Sequence, residues 1–166
     1  MRRFLWCSLV AAFLVVPLAA EEASLLYVRA ARLLDVRSGQ VLTDQMIVVR
    51  GERIERVGPA TEIQVPADAR VINLGRATVL PGLIDVHGQL TSDHRFHGYR
   101  RLAVSVPRQA LYGALNARKT LWAGFTTARN VGADGYADVA LRDAIKAGEI
   151  TGPRLLVSGP ALGITG

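Results

Sequence analysis

The chain of 166 residues holds a single cysteine, Cys7, and two methionines. Cys7 sits inside an apolar N-terminal run, so a product that loses that run has no thiol. Disulfide staples and a thiolate nucleophile are then both excluded. Aromatic residues are scarce, at 6%. The bases Arg50, Arg53, Arg56, Arg95, Arg100, Arg101, Arg118 and Lys119 are scattered rather than gathered into a stripe. A nucleic-acid surface needs such a stripe or a recognisable module, so the formal charge of +6 reads as a solvated surface with no nucleic-acid partner. No Gly-x-Ser-x-Gly elbow occurs, which leaves serine hydrolase chemistry unsupported. Tandem repeats and low-complexity tracts are also missing. What is present is apolar: half of the residues are hydrophobic against a fifth charged, the composition of a globular chain.

Residues 1–20 are read apart from the fold. Met1-Arg2-Arg3 is a basic start, Phe4 to Leu18 is an apolar run interrupted mainly by Ser8 and Pro17, and Ala19-Ala20 precedes the acidic pair Glu21-Glu22. This is the pattern of a secretory signal peptide with cleavage after Ala20. The alternative is an uncleaved anchor, since the run approaches the roughly 17 residues that can span a bilayer. Pro17 and the small-residue exit favour cleavage. The expected location is secreted or periplasmic, with no stable membrane association after cleavage.

Two further segments differ in pattern. Residues 21–76 carry short β-type runs: Leu26 to Leu34, then Met46-Ile-Val-Val49 and Ile54-Glu-Arg-Val57 on either side of the turn signal Arg50-Gly-Glu-Arg53, then Val71-Ile-Asn-Leu74. Such a segment is small for an independent core. Residues 77–166 alternate strand and helix. Ser105 is a candidate N-cap, Pro107 suits a first turn, and Gly124 sits where a C-terminal cap belongs. Phe125 to Val131 reads as a strand. Ala137 to Ala147 reads as a helix with Ala137, Leu141, Ala144 and Ile145 on one face, closed by Gly148. Pro153 to Ser158 reads as a third strand. Alternation of this kind predicts right-handed βαβ units and a parallel sheet.

Chemistry is concentrated in Thr78-Val-Leu-Pro-Gly-Leu-Ile-Asp-Val-His-Gly-Gln89. Read as one strand buried by Val79, Leu80, Leu83 and Ile84, it places Asp85, His87 and Gln89 on one face. An imidazole with a second donor two residues on, at the mouth of an α/β core, suits a divalent metal such as zinc.

The phrase resembles the opening metal motif of the amidohydrolase superfamily, Leu-Pro-Gly-Leu-Ile-Asp-x-His-x-His, with Gln89 in place of the second histidine. Ala123 to Gly132, Leu141-Arg-Asp-Ala-Ile145 and Gly152 to Pro160 are similar to successive landmarks of secreted members related to Xaa-Pro dipeptidases and imidazolonepropionases. The resemblance runs from about Leu26 to Gly166. It implies an α/β fold: a (β/α)₈ barrel with a metal centre, preceded by part of a small β-sandwich built from both ends of the chain. A barrel of this type needs about 200 to 250 residues. Val79 to Gly166 supplies less than half of that, so the chain is expected to be an N-terminal fragment, truncated after about three barrel strands and inactive alone. The resemblance places the remaining ligands and the catalytic aspartate on later strands, so no catalytic residue is assigned here.

The resemblance makes His87 a metal ligand and Gln89 a weaker one, because a neutral amide oxygen is a poorer zinc donor than imidazole. Asp85 has either a supporting role at the metal or a purely structural one. His94 and His97 are solvated loop histidines or a substrate entrance. Arg129 is read as pairing with an acid, and Asp134 and Asp138 as helix-start charges. Two functions remain open: a metal-dependent hydrolase acting on dipeptide, amide or cyclic amide bonds, and a pseudoenzyme that binds a ligand or partner without turnover. Export makes the first prediction. N-terminal sequencing of exported protein should begin at Glu21, and an intact Met1 terminus would favour the anchor instead.

Overall fold

The computed structural model describes residues 25–96 and 98–162. The expected signal peptide, His97 and residues 163–166 lie outside them. The described chain divides into two compact units that meet in sequence between Val79 and Leu80, and each has its own sheet.

The first unit is built on a long hairpin of β1 (Leu25–Asp35) and β2 (Gln40–Arg50), antiparallel from Leu25 opposite Arg50 to Asp35 opposite Gln40. Its turn is made by Asp35, whose carboxylate accepts the Arg37 N–H and the Ser38 hydroxyl, and by Gly39 at φ 73°. A left-handed residue is what a tight hairpin requires there. The shorter turn at Arg50–Arg53 leads into β3 (Arg53–Pro59), as the turn signal predicts. β4 (Arg70–Asn73) and β5 (Thr78–Val79) run parallel to successive stretches of β1. Tyr27, Met46 and Val48 form the buried face, and Ile63, from the segment after β3, packs onto them. On β2 the left-handed Asp44 (φ 46°) is held by a bidentate pair with Arg29, at 2.8 and 3.1 Å.

The second unit is mixed α/β. β6 (Leu83–Gly88), α1 (Val106–Trp122), β7 (Phe125–Asn130), α2 (Ala137–Lys146) and β8 (Arg154–Val157) follow one another, and the strands pair in parallel in the order β6-β7-β8. Ala117 of α1 and Leu141 of α2 pack with Leu90, Ala128 of β7 and Leu155 of β8 to form the core. Glycine at 113 sets the helix approach, since a Cβ there would lie 3.0 Å from a Leu141 methyl. Gly124 closes α1 at φ 98° and Gly148 follows α2 at φ 78°, as expected of C-terminal glycines.

Two expectations need correction. Thr78–Gln89 is not one strand. Thr78–Val79 pairs with β1 in the first unit, and a new strand begins at Leu83 in the second. Pro81 has no N–H to give a ladder, and Gly82 lies against Thr126 so closely that any Cβ would collide with that side chain. Leu80, Leu83 and Ile84 are exposed rather than buried, because the helices cover only the face that carries Ala128 and Leu155. Ser105 is the N-cap residue of α1, as expected: it is extended and its carbonyl accepts the Gln109 N–H, although its hydroxyl makes no capping bond. Leu141 is the core position that joins both helices to the sheet. Leu141→Ala should lower unfolding free energy by about 2–5 kcal/mol, measurable by urea denaturation.

Candidate active site

The C-terminal ends of β6, β7 and β8 are drawn together by one buried pair. Asn130, the last residue of β7, and Asp138, in the first turn of α2, are both fully shielded from solvent. The Asn130 side-chain oxygen accepts the Leu90 N–H at 2.7 Å, just beyond β6. Its amino group donates to the Gly132 carbonyl at 3.0 Å and to Asp138 Oδ2 at 3.2 Å. The same Asp138 oxygen accepts the Gly159 N–H at 3.1 Å, just beyond β8. Asp138 therefore does more than complement a helix start, and Asn130 is the residue that sequence reasoning overlooked. Its only signal in the sequence is a polar side chain ending an otherwise strand-forming run.

His87 and Gln89 are exposed at the end of β6 and just past it. Among the described residues the His87 imidazole has no hydrogen-bond or ion-pair partner, so neither ring nitrogen is committed within them. Asp85 is placed differently from the single-face expectation. It stands opposite Ala128 while Gly88 stands opposite Asn130, so Val86 and His87 together face the one residue Arg129. This bulge shifts the alternation by one, and the Asp85 carboxylate accepts the His87 backbone N–H at 2.9 Å. Asp85 thus satisfies a backbone group that the irregular ladder frees. Arg129 donates to the Val86 carbonyl at 2.8 Å rather than to an acid.

Gln89 lines a cleft of about 420 Å³ with Ser92, Asp93, His94, Phe96, Gly98 and Arg101. A narrower extension adds Gln109 and Asp134. Gln109 donates to Asp134 at 2.9 Å, and Arg101 lies 3.7 Å from the same carboxylate. Asp93 is shielded and hydrogen-bonded by the Arg95 guanidinium and by the Arg95 backbone N–H, which hold its carboxyl well below the usual range. Arg95 in turn lies 5.9 Å from the ring centres of Phe96 and Tyr112. The His94 ring is exposed and stands 4.0 Å from Asp93.

The donor set around His87 is partial. Among the described residues no three His, Cys, Asp or Glu side chains are grouped to hold an ion. A catalytic zinc takes three protein ligands and keeps a fourth position open. Here one imidazole and one amide oxygen are adjacent on the same chain segment, which fits one side of such a sphere and no more.

Residues 78–165 match the family model described as Amidohydrolase family, more than half of the chain. The chain belongs to the amidohydrolase family. Two solved structures resemble it closely. A candidate prolidase from Bifidobacterium longum is 33% identical with a TM-score of 0.70, over 87% of this chain and 32% of that one. A Xaa-Pro dipeptidase with methionine bound in its active site is 32% identical with a TM-score of 0.72, over 82% of this chain and 34% of that one. The imidazolonepropionase of Micrococcus luteus is 51% identical over 55 residues, 33% of this chain and 13% of the relative. The chain spans about a third of the length of these solved structures.

The Asp93–Arg95 contact carries a pH signature. A carboxyl held low by its partner stabilises the folded loop above the unfolded value of about 3.9, and that contribution is lost as pH falls toward the folded value. The Arg95 Nε–H resonance should stay constant through about pH 4, where an ordinary aspartate is about half protonated, and move only well below it. The Asp93→Asn variant should show no such acid transition.

Proposed function

We propose that this chain contributes the opening strands of a (β/α)₈ barrel in a metal-dependent hydrolase of carbon–nitrogen bonds. The observation that carries the reading is the exposed imidazole of His87, without a partner among the described residues, beside Gln89 at the C-terminal end of the first strand of a parallel sheet. Barrel enzymes place their chemistry on that edge. His87 would hold a divalent ion, zinc on donor chemistry, and the Gln89 amide oxygen would be a weaker donor or hold a water. The remaining ligands would come from outside the described residues. A bound ion of this kind lowers the pKa of water from about 15.7 toward about 7 and polarises a carbonyl.

The chain's own side chains supply orientation. Arg101, Gln109 and Asp134 present a charged and hydrogen-bonding wall to the cleft, and Phe96 an apolar one. A small substrate with an amide and an apolar group, such as a dipeptide or a cyclic amide, suits that lining. The names of the relatives point the same way. Asp85 is committed to the His87 backbone and is not assigned proton transfer. The open sheet face that carries Ile84, Val86 and Leu156 suits the interior of a larger barrel. Export through residues 1–20 would place the enzyme outside the cytoplasm.

Gln89 favours one second reading, a barrel that binds ligands without turnover, because a neutral amide weakens the ion site. The two separate on metal content. In a full-length version that carries the remaining ligands, Gln89→His should tighten zinc binding about tenfold or more, or about 1.4 kcal/mol per decade, and the gain should vanish when His87 is also changed to Ala. Zinc titration by calorimetry on parent, single and double variants, with dipeptide hydrolysis followed alongside, provides the check. Equal zinc affinity in parent and Gln89→His would show either that Gln89 already suffices or that this strand does not bind the ion.

A further inference from the structure

We propose that Asn130, oriented by Asp138, is a positioning residue that sets the end of β6 and thereby the donors His87 and Gln89. The inference rests on reading those two residues as donors, and its geometry is independent of that reading. An asparagine amide has an accepting end and a donating end. Here the accepting end meets the Leu90 N–H, and the donating end meets the Gly132 carbonyl and the Asp138 carboxylate. Turning the amide over would set N–H against N–H at Leu90 and oxygen against oxygen at both other partners. All three contacts therefore select one orientation, and burial removes the water that would otherwise soften a wrong one.

Leu90 is the residue after Gln89, so the bond to its amide holds the chain immediately beyond the donor pair. Upstream, the ladder is irregular between Asp85 and Gly88 and constrains this end less. Downstream, the segment from Ser92 opens into the cleft-lining loop. The Val131 N–H to Gly88 carbonyl bond, at 3.1 Å, adds a second tie from the same β7 end. The carboxylate of Asp138 completes the arrangement: its Oδ1 accepts the Val139 N–H at 2.9 Å while Oδ2 is shared by Asn130 and Gly159. A rotamer of Asn130 is thus passed to β6 on one side and to the β8 exit on the other.

Asn130→Asp tests this, since it keeps shape and the acceptor for Leu90 but leaves at most one proton, shared with Asp138, where the amide gave two donors to Asp138 and Gly132. Hydrogen exchange of the full chain is compared with the parent at the same pH. The expected result is exchange of the Leu90 and Gly159 amides faster by about tenfold or more, shifted His87 ring and Gln89 side-chain resonances, and unchanged protection in α1. Unchanged Leu90 exchange would overturn the proposal. So would equal loss of protection in α1, which would make Asn130 a general stability residue. Should Asn130→Asp not fold, the milder Asp138→Asn decides by the same amides. Zinc affinity of parent and variant is read in parallel in a full-length version that carries the remaining ligands: a parent that does not bind zinc through His87 there sinks the hydrolase reading, while the exchange data still judge Asn130. Unaltered zinc affinity in a variant whose β6 end has moved would count against positioning of the donors.

Discussion

The second unit depends on a hydrogen-bonded pair hidden from water. Three parallel strands must end at a common edge if side chains from different strands are to converge, yet ladders alone leave strand ends to fray. Asn130 and Asp138 solve this from the middle strand and the helix that follows it. One amide and one carboxylate reach the backbone on both sides, at Leu90 and at Gly159. The cost of burying such polar groups is offset only when every partner is present, and here the amide and both carboxylate oxygens are engaged. The α2 N-terminus, with its favourable dipole for an acid, supplies the place where a buried carboxylate is tolerable.

The first unit solves a smaller problem by different means. A single sheet with one apolar face must cover that face without an α-helix among the described residues, and the segment carrying Ala60 and Ile63 does so against Tyr27, Met46 and Val48. Its strands owe their register to turns rather than to a large core: Asp35 with Gly39 at one hairpin and Gly51 at the other.

Most of the architecture was legible because it is written in short-range patterns. Glycines 124 and 148 marked helix ends, period-four apolar positions marked α2, and the Arg50–Arg53 turn marked a hairpin. The misread parts are those where tertiary contact overrides local pattern. Thr78–Gln89 looks continuous as a string of β-formers, but Pro81 and the tight fit of Gly82 under Thr126 divide it. Ile84 looks like a core residue and is exposed, because which strand face a helix covers depends on packing that the strand's own sequence does not contain. At the site, His87 and Gln89 were visible as residue types at a suggestive spacing. Asn130 was not, because its importance lies in partners forty residues upstream and eight residues downstream in sequence.

The bulge in β6 has a consequence for anyone who would transplant this strand. The ladder slips by one residue after Leu83, which pairs with Phe125, and is back in its original frame at Gly88, which pairs with Asn130. Between these points the usual inside–outside alternation is interrupted, while beyond them it is undisturbed. The irregularity is shared: Thr126 is the extra residue on β7 and the Val86–His87 pair holds the extra one on β6, so only β6 and β7 moved together would leave a host's register intact. Moved alone, β6 would keep its own extra residue without the one on β7 that offsets it, and would hand a frameshift in side-chain direction to the sheet that received it.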